Sequence, residues 1–247
     1  APKREVDMLL STGEQVSVSL MAMALHGMGI PAVSLNAFQV SMKTTSAFGN
    51  ARLKKIDTER IENELDAGKV VVVTGLQGVT KFDDVTTLGR GGSDTTAVAL
   101  AAVLHADACE IYTDVHGVYT ADPRNVPTAK KIKTVSYDEM LEMATLGAQV
   151  LHNRSVELAK KYGVQVVVRS SLTNEEGTIV KEGSKVEGMI ISGVAVDKHV
   201  DRIALVGLKN EPGTAFKLFS QLEKHNINVD MILQSIGNKE KKDISFT

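Results

Sequence analysis

The chain has 247 residues, 43% of them apolar and 23% charged, enough to bury a core in one large domain or two modest ones without a disulfide or metal. A net charge of −2 and 4% aromatics without Trp exclude a global basic field or a stacking platform for nucleic acid, and no apolar run approaches the ~20 residues of a membrane span. Cys109 is the single cysteine, so no intrachain disulfide forms, and a reducing cytoplasmic setting fits.

In chain order, EQVSVSLMAMALHGM (14–28) reads as a buried helix stopped by Gly29, its methionines packed in the core, and PAVSLNA (31–37) as a strand. Thr58 stands where its hydroxyl can cap a helix running to 65, with Ile61 and Leu65 on one face and Gly68 as the stop. KVVVVTG (69–75) is a continuous apolar strand of the kind buried on both faces of a parallel sheet. After a glycine loop, DTTAVALAAVLHADA (94–108) is helical, and CEIYTDV (109–115) is a strand that encloses Cys109 as an inert thiol.

Ser136 and Glu139 form a capping box ahead of Met140, Met143 and Ala144 at helical spacing. A helix over 154–162 leads into the strand VQVVVRSS (164–171), and the polar stretch 173–187 suits a connector or exposed hairpin. DRIALVGL, PGTAFKLFSQLEKHN and INVDMILQSI then make a strand, helix and strand, followed by a solvated turn at KEKKD (239–243) and by DISFT, a strand just begun. The expected architecture is α/β: a mainly parallel open sheet sandwiched by helices over 1–187, and a second, smaller βαβ domain over 188–247.

Chemistry concentrates in TTLGRGGSD (86–94). Gly89, Gly91 and Gly92 let bare backbone approach a ligand, Arg90 offers a bidentate fork, and a helix opening at Ser93 or Asp94 adds partial positive charge. An anion is implied, and a tight turn capped by Asp94 is the plain alternative. YTDVHGVYTADPR (112–124) leaves a strand end carrying Thr113, Asp114, Tyr119, Asp122 and Arg124. Ligands in open α/β sheets bind beyond the carboxyl ends of strands, so this loop and the glycine loop are expected to face one crevice. A solvated turn ended by Pro123 is the bland reading. LLSTGEQVSVSL sets Ser11, Thr12 and Glu14 at a helix opening, where Glu14 would meet an amino group or merely cap. The six histidines are scattered without zinc spacing.

Taken in order, LLSTGEQVS, FGNARL, VVVVTGLQGVT, TTLGRGGSDTTA, YTDVHGVYTADPR and LGAQVLHNRS resemble the aspartate kinases of the amino-acid kinase superfamily, and the terminal βαβ resembles their regulatory ACT domain. The resemblance implies transfer of the γ-phosphoryl of MgATP to the side-chain carboxylate of L-aspartate. It implies that Glu14 holds the substrate amino group, Arg90 the α-carboxylate, and Ser93 with the glycine backbone the same pocket, while Asp94 organises the catalytic centre by orienting a lysine. Thr113, Asp114, Tyr119 and Arg124 would surround ATP, together with Gln149 and Val150. Lysine or threonine would bind as effector near Gly213, Thr214, Ala215, Asp230 and Gln234, between paired ACT domains of a homo-oligomer. Mg²⁺ would arrive with ATP, held largely by phosphate oxygens and waters.

Two departures stand out. The family opens with a strand and a Lys-Phe-Gly-Gly-type loop, and nothing of that form precedes Ala1, so the sequence reads as a fragment of low turnover, also cut at its end. The family commonly has lysine where Gln149 stands; a neutral amide donates hydrogen bonds but cannot neutralise phosphate. Another carboxylate, amino-acid or nucleotide kinase of the superfamily, or a non-catalytic amino-acid sensor, remains an alternative.

Overall fold

A computed structural model describes residues 1–148, 150–183, 193–196, 200–225, 227, 229, 231–236 and 241–247. The chain divides into two compact units, Ala1–Val196 and Asp197–Thr247.

The first unit opens with α1 (Lys3–Gly27), which runs through the stretch expected to open a helix, so Ser11, Thr12 and Glu14 are mid-helix. Only Asp7, Ser11, Val18 and Ala22 of α1 are buried, and Met21, Met23 and Met28 are exposed, against the expectation of a buried helix with core methionines. A helix packed along one stripe buries only the positions that recur at i, i+4, i+7. By length and apolar composition α1 also qualifies as a membrane span, which the sequence reading had excluded. Here its buried stripe instead lies against β1 (Ala32–Leu35) and β6 (Val85–Thr87).

β1 pairs in parallel with β4 (Val70–Val73), in the register Ala32 with Val70 through Leu35 with Val73. β4 has this one neighbour among the described strands and is only part-buried, so the valine run is not a doubly covered central strand. Between them stands α2 (Glu59–Asp66). Its Thr58 side chain makes no cap; the Asp57 carboxylate accepts the Glu59 N–H instead at 3.2 Å. Ile61 is buried against Leu35, Val40 and Met42, while Leu65 is exposed. A small mixed sheet of β2 (Lys43–Thr44), β3 (Leu53–Lys55), β5 (Gln77–Val79) and β6 then forms beside the glycine loop. The β5–β6 hairpin was not foreseen, because its strands have three residues each and the turn lies in a polar stretch.

The second half of this unit packs α3 (Gly92–Val103), α4 (Tyr137–Thr145) and α5 (Asn153–Tyr162) around a sheet of order β7-β9-β10-β8, comprising β7 (Cys109–Thr113), β8 (Thr134–Ser136), β9 (Val166–Ser170) and β10 (Thr178–Lys181). β7 pairs parallel to β9, and β8 parallel to β10, with one antiparallel step between β9 and β10. The architecture is thus α/β with mostly parallel pairing, as expected. TIVK is an internal strand rather than part of an exposed connector; Thr178 and Val180 are fully buried. The core here includes Val98, Val135, Met140, Val156, Val166 and Val168.

The capping box on α4 forms as read: Ser136 Oγ accepts the Glu139 N–H at 3.2 Å, and the Glu139 carboxylate accepts the Ser136 N–H at 2.9 Å. We expect Ser136→Ala to destabilise the protein by about 1 kcal/mol, the usual cost of a lost N-cap, measured as a shift in the urea midpoint at constant slope.

The second unit holds β11 (Ile203–Lys209), α6 (Thr214–Lys224), β12 (Ile232–Ile236) and β13 (Lys241–Phe246). β13 is six residues long and central, antiparallel to both neighbours, so DISFT is neither an edge nor a strand barely begun. Lys241–Asp243 belong to this strand rather than to a turn; 239–240 lie outside the described residues. Phe219 of α6 meets Phe246 edge-on at 5.7 Å, tying helix to sheet.

Candidate active site

The glycine loop follows β6 and turns into α3. Gly91 is the N-cap of α3 in the left-handed region, φ 65°, and a Cβ there would lie 2.1 Å from the Cβ of His152. Gly92 is equally confined, since its Cβ would lie 2.6 Å from Leu76 Cδ1 and 2.9 Å from Leu88 Cβ. Glycine is required here both by backbone angle and by close approach. Ser93 is exposed in the first turn of α3 and packs against Gly75.

Asp94 is half-buried in the same turn. Burial raises its pKa above the ordinary carboxylate value, opposed by the neighbouring backbone and imidazole of His152. Its negative charge is felt at Cys109, whose thiol is pushed up to about 11, mainly by burial. Cys109 is buried, as the sequence suggests.

A cavity of about 520 Å³ opens beside the loop. Its walls are the first turns of α1, through Lys3, Val6, Asp7 and Leu10; the 48–50 segment; and Leu76, Thr87, Gly89 and Arg90. Asp7 is 1% exposed and holds the walls together: its carboxylate accepts the N–H of Gly49 and of Thr87, each at 2.8 Å, and the Thr87 hydroxyl at 2.8 Å. Arg90, by contrast, is exposed and makes no hydrogen bond or ion pair among the described residues. An exposed guanidinium and Lys3 both line the cavity, and cations so placed can attract an anion. Glu14 does not line the cavity, but Asp7, Leu10 and Glu14 recur at i, i+3, i+7, which sets it on the same face of α1.

The expected nucleotide loop stands apart from this cavity, whose lining includes no residue of 112–124. Thr113 ends β7 and its hydroxyl donates to Asp114 at 3.1 Å. Tyr119 sits in an antiparallel bridge with Lys131. The Arg124 guanidinium is occupied by Asp122, with Nε and Nη2 at 3.1 Å and 3.0 Å from its carboxylate, which raises the arginine pKa. Val150 is half-buried two residues before the N-cap of α5; Gln149 lies outside the described residues. In the second unit Gly213 caps α6 in the left-handed region with Thr214 and Ala215 behind it, Gln234 is exposed on β12, and Asp230 lies outside the described residues.

Sequence reasoning missed Lys3, Asp7, His152 and Arg154. His152 caps α5, accepting the Arg154 N–H at Nδ1. Arg154 donates to Leu88 O at 2.7 Å, Asn50 Oδ1 at 3.2 Å and Ala51 O at 3.0 Å. These partners are up to 104 residues apart in sequence, a separation no local pattern reveals.

Comparison with known proteins identifies the family of the fold. The pattern of the amino acid kinase family matches residues 1–170, and that of an ACT domain matches 203–247. An aspartokinase of Geobacillus stearothermophilus is 54% identical over 246 residues, 99% of this chain and 60% of that protein. Aspartokinase 2 of Bacillus subtilis is 51% identical over 99% of this chain and 60% of its own length. The chain therefore spans about 60% of the length of such relatives. The solved structure of Escherichia coli aspartokinase III in complex with aspartate and ADP superposes with a TM-score of 0.84 at 30% identity, covering 100% of this chain and 56% of that one. The same enzyme in complex with lysine and aspartate gives 0.78 at 30% identity, with the same coverage.

Proposed function

The chain belongs to the amino acid kinase family, and on that premise we propose that the protein is an aspartate kinase, transferring the γ-phosphoryl of MgATP to the side-chain carboxylate of L-aspartate to give 4-phospho-L-aspartate. The observation that carries the reading is Arg90, an unpaired guanidinium that lines a cavity of about 520 Å³ and precedes the α3 N-terminus by two residues.

The nucleophile is a carboxylate that is already an anion, so no strong base is required, and rate comes from positioning and charge neutralisation. Arg90 grips the α-carboxylate in a fork, Glu14 receives the amino group, and Ser93 and the backbone of Gly89, Gly91 and Gly92 line the pocket. A side-chain carboxylate oxygen then bonds to the γ-phosphorus as the bond to the β–γ bridging oxygen breaks, and ADP leaves. Asp94, half-buried at the start of α3, orients a cationic side chain rather than taking a proton.

The nucleotide is assigned to Thr113, Asp114, Tyr119 and Val150, with Gln149 beside them. Arg124 must exchange Asp122 for phosphate, a change that exposure makes inexpensive. Mg²⁺ comes bound to ATP. Lysine or threonine acts as effector at Gly213, Thr214, Ala215 and Gln234, with Asp230, in a homo-oligomer joined through ACT domains in the cytoplasm. Support comes from the likeness to aspartokinases along the whole chain and to structures holding aspartate, ADP and lysine.

The test is ATP-dependent formation of a hydroxamate with hydroxylamine as trap, over a panel of L-aspartate, glutamate, acetylglutamate and carbamate. Product with aspartate alone is the expected result. Product only with another acceptor, or lysine or threonine binding without any transfer, overturns the reading.

A further inference from the structure

The side chain of Arg154 has no part in the reading above, yet its guanidinium joins both loops that wall the amino-acid cavity. Asn50 lines that cavity from the 48–51 segment, and Arg154 donates to Asn50 Oδ1 and to the neighbouring Ala51 O. On the other wall it donates to Leu88 O, the carbonyl that leads directly into Gly89 and Arg90. Its acceptors are two carbonyls and an amide, and burial, reinforced by repulsion from Arg52, lowers its pKa. Even partial burial of a cation on neutral acceptors has a desolvation cost that its three hydrogen bonds must offset.

The placement is systematic. The same loop pair is closed from α1 by Asp7, through Gly49 and Thr87, and by a direct bond from Ala51 N to Thr87 O at 2.9 Å. Two residues before Arg154, the side chain of His152 fills the space beside Gly91 on the glycine loop. The start of α5 thus backs the glycine loop through His152 and, through Arg154, holds the turn that presents Arg90.

We propose that Arg154 is a positioning residue for amino-acid binding: it fixes the spacing of the 48–51 and 88–90 segments and so the place from which Arg90 grips a carboxylate. The inference rests on the aspartate kinase reading. A lysine cannot replace it, because a single ammonium lacks the planar fork that reaches three acceptors on two segments.

The experiment measures binding of L-aspartate and, separately, of MgADP to the intact protein by calorimetry, without turnover. Arg154→Lys is expected to weaken aspartate by about tenfold, the scale of one or two lost charge-assisted hydrogen bonds, with MgADP affinity unchanged. In a cycle with Arg90→Lys the two effects on aspartate should be non-additive, since one residue acts through the other. Should Arg154→Lys not fold, Asn50→Ala removes one of the three acceptors without touching charge and should give the same selective loss. Equal weakening of both ligands, or aspartate binding untouched while only the melting temperature falls, overturns the proposal. An unsubstituted protein that binds MgADP but no aspartate defeats the aspartate reading and this inference with it; unsubstituted protein that binds aspartate with Arg154→Lys matching it defeats this inference alone.

Discussion

Replacing Gly91 by alanine is expected to lower aspartate phosphorylation by about 100-fold or more, the scale of an ångström-sized displacement of reacting groups. Two effects act at this position. One is the backbone: an L-residue in the left-handed region costs about 1–2 kcal/mol. The other is steric, since the new methyl would stand 2.1 Å from His152 Cβ and 2.3 Å from its Cγ. The loop and the start of α5 cannot both remain in place, and with them move Arg90 on one side and His152 on the other.

Gly163 separates the two effects. It caps the other end of α5 at φ 66°, nearly the angle of Gly91, but a Cβ there meets nothing within 4 Å. Gly163→Ala should therefore lose only the backbone cost in stability and keep its transfer rate. Pairing Gly91→Ala with His152→Gly removes the opposing Cβ and should restore part of the activity, glycine being a tolerable N-cap. Activity in Gly91→Ala equal to that in Gly163→Ala would show that the packing of His152 on the loop has no functional weight.

Replacing Asp94 by asparagine should separate activity from stability. We expect about a 1,000-fold fall in kcat, the scale of removing one preorganised electrostatic group, together with a gain in stability at neutral pH. The sign follows from the raised pKa. Burial makes the folded chain bind the Asp94 proton more tightly than the unfolded chain does. The stability associated with that proton is fully present below the unfolded pKa and is lost as pH rises through the folded one. At neutral pH the ionised carboxylate is therefore a cost, and the neutral amide removes it. Denaturant midpoints at about pH 4 and about pH 8 should show the advantage of Asp94→Asn growing with pH. An asparagine variant less stable than the parent at the higher pH would mean that the favourable influence of His152 on the carboxylate outweighs burial.

The parts of this protein legible in its sequence are those written in short-range pairs. The capping box of Ser136 and Glu139, the stop of α2 before Gly68, the helix at 154–162 and the glycine turn ahead of α3 depend on residues within four positions of one another. The six ordered blocks then pointed to a kinase of amino acids, because a loop that must admit an anion tolerates few side chains.

What failed was read from local pattern where burial is decided by distant neighbours. SLMAMALHGM looks like core, yet one face of α1 alone finds a sheet; TIVK looks like loop, yet β8 and β9 flank it; DISFT looks like a remnant, yet β11 and β12 pair on both its sides. The site divides in the same way. The sequence by itself determined that Arg90 would stand in a glycine turn at a helix start, since backbone freedom and charge are properties of adjacent residues. Only the tertiary structure decided that its guanidinium is unpaired, that Asp7 lies 80 residues from the threonine it holds, and that Arg154 reaches back 104 residues to Asn50. Buried charges must find their donors and acceptors wherever the folded chain supplies them, and that demand leaves no periodic trace along the chain.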